Sequence, residues 1–124
     1  MRICIPTQSD TLADSRISPH FGKAQYHLVL ENHQEVARHN RDDRPAEDCA
    51  PIDWILRQNV THVVCLGIGD GAYRRLRTGG VTILSAEKHR WIRDALQAAH
   101  TGKLPLFDTS RLCDHHHQDH ASKT

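Results

Sequence analysis

Between residues 50 and 102 the apolar residues alternate between helical and strand-like spacing, and this alternation limits the fold more than any other feature of the chain. Ile52, Ile55 and Leu56 fall on one stripe of a helix over Ala50 to Asn59, with Pro51 in its first turn and Asp53, Arg57 and Gln58 left to water. His62 to Leu66 is a compact apolar run of strand length, followed by Gly67-Ile68-Gly69-Asp70-Gly71 and a short helix through Arg77 that Gly79-Gly80 ends. Val81 to Leu84 is a further buried strand. From Glu87 to His100, Trp91, Ile92, Ala95, Leu96 and Ala99 share one helical face, and Gly102 closes that helix. Helix, strand, helix, strand, helix predicts parallel strands joined by right-handed crossovers, hence an α/β fold.

The first half has a different rhythm. Arg2 to Pro6 reads as a strand broken by Pro6-Thr7-Gln8-Ser9-Asp10, and Tyr26 to Leu30 and Val36 to His39 read as two more. The short polar connection Glu31 to Gln34 predicts a hairpin, although it lacks an Asn-Gly or Asp-Gly pair. The polar stretch Arg41 to Asp48 reads as a surface loop. A chain of 124 residues suits one core, placed at 1–104, with 105–124 a polar Cys/His-rich tail.

Composition excludes several classes of function. A net charge of +1 leaves no basic footprint for nucleic acid. The N-terminus does not read as a signal peptide and no apolar run approaches the roughly 20 residues that span a bilayer, so a cytoplasmic protein without a membrane partner is expected. In that compartment the four cysteines are expected as thiols, and their spacing is not that of a disulfide framework. The anomaly is histidine, with 11 copies.

Three segments carry chemistry. Cys113, His115, His116, His117 and His120 are ligand types that suit zinc, nickel or copper, so the tail is a candidate transition-metal buffer or chaperone; the plainer reading is a polar tail that binds metals adventitiously. In Ser18-Pro19-His20-Phe21-Gly22, proline and glycine bracket an imidazole, which is either a ligand or a hydrogen-bonded loop histidine beside a phenylalanine that plugs the core. Gly67, Gly69 and Gly71 precede or open a helix, where backbone N–H groups and the helix dipole favour an anion; tight turning alone also explains them. Cys49, at the start of a helix, is a further candidate ligand, whereas Cys4 and Cys65 lie in central strands and read as core. The chain has no Gly-x-Ser-x-Gly, His-Glu-x-x-His or Cys-x-x-Cys, so no enzyme is expected.

Taken in order, Arg2-Ile3-Cys4-Ile5-Pro6-Thr7, Ser18-Pro19-His20-Phe21-Gly22-Lys23-Ala24, the Tyr26 to Leu30 strand, Cys49, Gly67-Ile68-Gly69, Leu76 and Gly80-Val81 resemble the dinitrogenase iron-molybdenum cofactor biosynthesis family, with its NifX and NifB C-terminal-like domains. The resemblance implies a ribonuclease H-like fold, a mixed five-stranded sheet flanked by three helices. It implies binding or carriage of an iron-sulfur or iron-molybdenum cluster or precursor, with a cluster-assembly or nitrogenase-related protein as partner, in nitrogen fixation or a related pathway. By analogy His20 is a ligand or near neighbour of the cluster, and the amides of Gly67, Gly69 and Gly71 face it. No carboxylate set suits a two-metal nuclease site, since Asp10 and Asp14 fall in a loop. An exposed edge strand offers a surface for a homodimer.

Overall fold

The computed structural model describes residues 1–9, 15–43 and 51–112. Five strands form one sheet in the order β3-β2-β1-β4-β5: β1 is Arg2–Thr7, β2 Tyr26–Glu31, β3 Gln34–Asn40, β4 His62–Cys65 and β5 Thr82–Ser85. The first three are antiparallel neighbours, and β1, β4 and β5 run parallel. This is the mixed ribonuclease H-like sheet, with three helices: α1 (Ile52–Arg57), α2 (Asp70–Thr78) and α3 (Ile92–His100).

Alternation along the central strands sorts the helices to opposite faces, because successive strand side chains point to opposite sides. Ile3 and Ile5 of β1, with Leu28 and Leu30 of β2, pack with Ile92, Ala95, Leu96 and Ala99 of α3. Cys4 and Val29, with Val63 and Cys65 of β4, pack instead with Ile52 and Ile55 of α1 and Leu76 of α2. β1 is therefore buried on both faces. The reading of Cys4 and Cys65 as core agrees with this, both being fully buried. Burial, and then the neighbouring Cys65, push the Cys4 thiol well above its ordinary range.

The two glycine stops are Schellman motifs. Gly80 has φ +88°, its N–H reaches Arg77 O at 3.0 Å, and the Val81 N–H reaches Leu76 O at 3.0 Å. Gly102 (φ +70°) repeats the pattern with Ala99 O, and Lys103 N–H with Ala98 O. The β2–β3 hairpin closes on Asn32 (φ 54°) and His33 (φ 68°), both left-handed as a tight type I′ connection needs, so Asn-His does the work of the missing Asn-Gly.

Two expectations are corrected. The last helix begins at Ile92, not Glu87, because Glu87 takes a left-handed φ of 54° and Trp91 stays extended to bridge Arg16. Residues 105–107, which their composition placed in the tail, pair with β5. Ser85 N–H donates to Pro105 O and Phe107 N–H to Ile83 O, both at 2.9 Å, so this strap covers the β5 edge with Phe107 buried.

Candidate functional site

The crossover topology fixes where a ligand can sit. From β1 the chain moves to β2 on one side, and from β4 it moves to β5 on the other. The carboxyl ends of adjacent, parallel β1 and β4 therefore lie at a switch point, where loops diverge and leave a crevice. The His20 loop leaves β1 there, and the glycine turn leaves β4 there.

A backbone bond joins the two: Phe21 N–H donates to Gly67 O at 2.9 Å. The loop is anchored at three further points. Ser18 N–H donates to Pro6 O at 2.8 Å, the Ser18 hydroxyl to His20 O at 3.2 Å, and the Thr7 hydroxyl to Arg16 O at 2.7 Å. Phe21 is fully buried, its ring edge-on to His27 with centroids 4.7 Å apart. His27 Nε2 lies 2.7 Å from Phe21 O; a carbonyl only accepts, so Nε2 carries the proton and donates. With Phe21 locked inward, its neighbour His20 is left exposed. The loop phenylalanine does plug the core, as one reading of the sequence held, while the adjacent imidazole remains available to a ligand.

The glycine turn contains no left-handed glycine. Among the described glycines only Gly80 and Gly102 have a left-handed φ, so Gly67, Gly69 and Gly71 meet no requirement of that kind. Gly69 is the extended N-cap of α2 (φ −77°, ψ 156°), and Gly71 lies inside its first turn. Asp70 already puts a carboxylate at the positive end of this helix, paired with Arg74 at 3.0 Å, which weakens the case for the helix dipole as the chief attraction for an anion. A Cβ at Gly71 would meet nothing within 4 Å. Gly71→Ala should therefore raise the unfolding free energy by about 0.5 kcal/mol, because alanine restricts the unfolded chain and favours the helix. A urea titration checks this, and a destabilised variant would mean that the position is packed.

Beside the junction lies a cavity of about 500 Å³ at the same end of the sheet. Ser18, Pro19 and Leu66 belong to its lining, so it borders both candidate loops, although neither His20 nor the glycines line it. Its other residues were not singled out in the sequence: Gln8, Ser9, Arg16 and Ile17 after β1, and Arg90 and Trp91 before α3. Ile17 N–H donates to Arg90 O at 2.8 Å and Ile92 N–H to Ser15 O at 3.0 Å, stitching these distant segments together. The Arg16 guanidinium carbon stands 4.8 Å from the centroid of the Trp91 ring, a cation–π contact. No local motif marks Arg16 and Arg90; the tertiary fold alone makes them neighbours.

Of the remaining candidates, Cys49 and the tail residues Cys113, His115, His116, His117 and His120 lie outside the described residues. Among the described residues no group of three or more His, Cys, Asp or Glu side chains gathers to hold a metal ion. No helix among them is long and apolar enough to cross a membrane.

The fold and the crevice define an α/β protein of ribonuclease H-like topology with a cavity at the carboxyl ends of its parallel strands. The chain belongs to the dinitrogenase iron-molybdenum cofactor family, whose model matches residues 1–102. Several solved structures share its fold. The orange protein of Desulfovibrio gigas, in its apo form, superposes with a TM-score of 0.73 at 16% identity, over 86% of this chain and 92% of its own. A Thermotoga protein named for NifB gives 0.69 at 20% identity, over 85% and 91%. A Methanocaldococcus jannaschii protein named as a dinitrogenase gives 0.62 at 16%, over 87% and 95%. Among curated proteins no sequence match was found.

Proposed function

We propose that this protein binds and carries an iron-sulfur or iron-molybdenum cluster, or a precursor of one, during metallocluster assembly, and that it catalyses no reaction of its own. The observation that carries this reading is the bond from Phe21 N–H to Gly67 O, which sets the exposed His20 loop against the glycine turn at the switch point of the sheet. Membership of the iron-molybdenum cofactor family supplies the class of cargo. His20 is the protein ligand in this reading, an imidazole that binds and releases a metal edge; among the described residues no group of three or more ligand side chains gathers around an ion. Cys49 and the amides of Gly67, Gly69 and Gly71 are secondary contacts. A carrier gains from few covalent ligands, since the cluster must pass to an assembly or nitrogenase-related protein. The tail as a nickel, zinc or copper buffer gains no support from the fold.

Reconstituting the untagged protein without oxygen, with iron, molybdenum and sulfide analysis alongside the absorbance spectrum, tests this. The full chain is expected to hold metal with sulfide, and His20→Ala to lose more than half of the charge-transfer absorbance. A spectrum unchanged in that variant would remove His20 from the site, and a protein that takes up no sulfide would remove the reading.

A further inference from the structure

We propose that His33 and His100 form a second site, a two-imidazole clamp for a divalent late transition-metal ion such as nickel or copper, at the end of the sheet away from the crevice. The site shares no residue with the carriage reading above and does not depend on it.

Topology brings the two side chains together. β2 runs antiparallel to β1 with Glu31 opposite Arg2, so the β2–β3 hairpin that carries His33 lies at the amino end of β1. α3 starts at Ile92, beside the crevice, and crosses the β1 face to end at His100. There the His100 ring stacks on that of His33, with centroids 4.3 Å apart and planes 20° from parallel. Both residues are exposed, so an ion and its waters have access.

Two observations go beyond proximity. His33 has a φ of 68°, the second left-handed position of the Asn32-His33 turn, where glycine is the residue that adopts the backbone without strain. The chain carries an imidazole there instead, and its ring meets another imidazole. Desolvation, then His33 and then the Met1 amino group, hold the pKa of His100 below its ordinary value, so near neutral pH an ion meets a lone pair at His100 rather than a proton.

The donor set selects the ion. Neutral imidazole suits nickel, copper and zinc, whereas magnesium is bound through oxygen. Metal–nitrogen bonds of about 2.0–2.1 Å need the two donor nitrogens about 3 Å apart, and centroids at 4.3 Å put them within reach. Nearly parallel rings point their lone pairs side by side, so one ring turns about its broad second torsion to bring both onto one ion. Water completes the shell, since no group of three or more ligand side chains gathers among the described residues.

An ion held here joins residues that only the folded chain brings together, so it stabilises the native state by mass action. Ligands that are neighbours in sequence, such as Cys113 to His120, need no fold to gather and shift the melting temperature little. Melting the full chain with nickel chloride, with magnesium chloride and with neither tests the site. Nickel is expected to raise the melting temperature by about 4 °C or more, and magnesium to leave it unchanged. His33→Gly should abolish that shift while keeping the metal-free melting temperature near wild type, because glycine suits the left-handed turn. His100→Gln, at an exposed helix end, should do the same. In a proton NMR titration of the wild type, the ring signals of His33 and His100 should broaden together as paramagnetic nickel is added. No shift with nickel, a shift that persists in either variant, or ring signals that stay sharp would overturn the proposal.

Discussion

Phe21→Ala is expected to lower the unfolding free energy by about 3–5 kcal/mol, a large part of the roughly 5–15 kcal/mol that a domain of this size possesses. The ring is fully buried, packs with Cys4, Val29 and Cys65, and meets His27 edge-on. Removing it leaves a void and strips His27 of its aromatic neighbour, and the rigid central strands β1 and β4 limit how far the site can collapse. In urea the midpoint should fall with little change in slope, since the surface exposed on unfolding is nearly the same. Phe21→Leu should lose much less. The amide of an alanine still donates to Gly67 O, so the folded fraction of the variant should keep the loop near its position. A loss under about 1 kcal/mol would mean that the ring is not the plug the structure describes.

Phe107→Ala is expected to cost about 3 kcal/mol, at the lower edge of the range for a buried aromatic. Phe107 is 6% exposed and belongs to the same core face as α1 and α2, with its ring centroid 6.3 Å from that of Tyr73. Its neighbour Leu106 is 69% exposed. Leu106→Ala should therefore change stability by no more than about 0.5 kcal/mol. Thermal and urea melts of the pair compare an inward and an outward side chain on one strap. Equal small effects would place the end of the packed domain before residue 105, whereas the expected contrast extends it across the β5 edge.

The elements whose signals are local were legible in the sequence. The Ile52, Ile55, Leu56 stripe, the short apolar runs and the paired glycines at 79–80 each carry their own period or stop signal, and the order of elements implied the parallel half of the sheet. The Ser18 to Gly22 segment was legible as a preorganised loop because its proline, histidine and glycine are adjacent in sequence. What escaped depends on contacts between distant segments. Trp91 fits the helical stripe of Ile92 and Ala95, but its backbone is extended by pairing with Arg16, and periodicity does not register such a pairing. Arg16 and Arg90 resemble any solvated arginine until the fold makes them face one cavity. Phe107 sits among polar neighbours, and a single buried aromatic leaves no repeat to detect.

The stitching of residues 15–17 to 90–92 also sets an order of events during synthesis. Arg16 leaves the ribosome early, but the opposite wall of its crevice does not exist until the segment before α3 has been made and has docked. A growing chain with β1 and β2 already paired presents the His20 loop without the arginine-lined crevice beside it. The crevice lined by Arg16, Arg90 and Trp91 is thus completed only when the last crossover is in place.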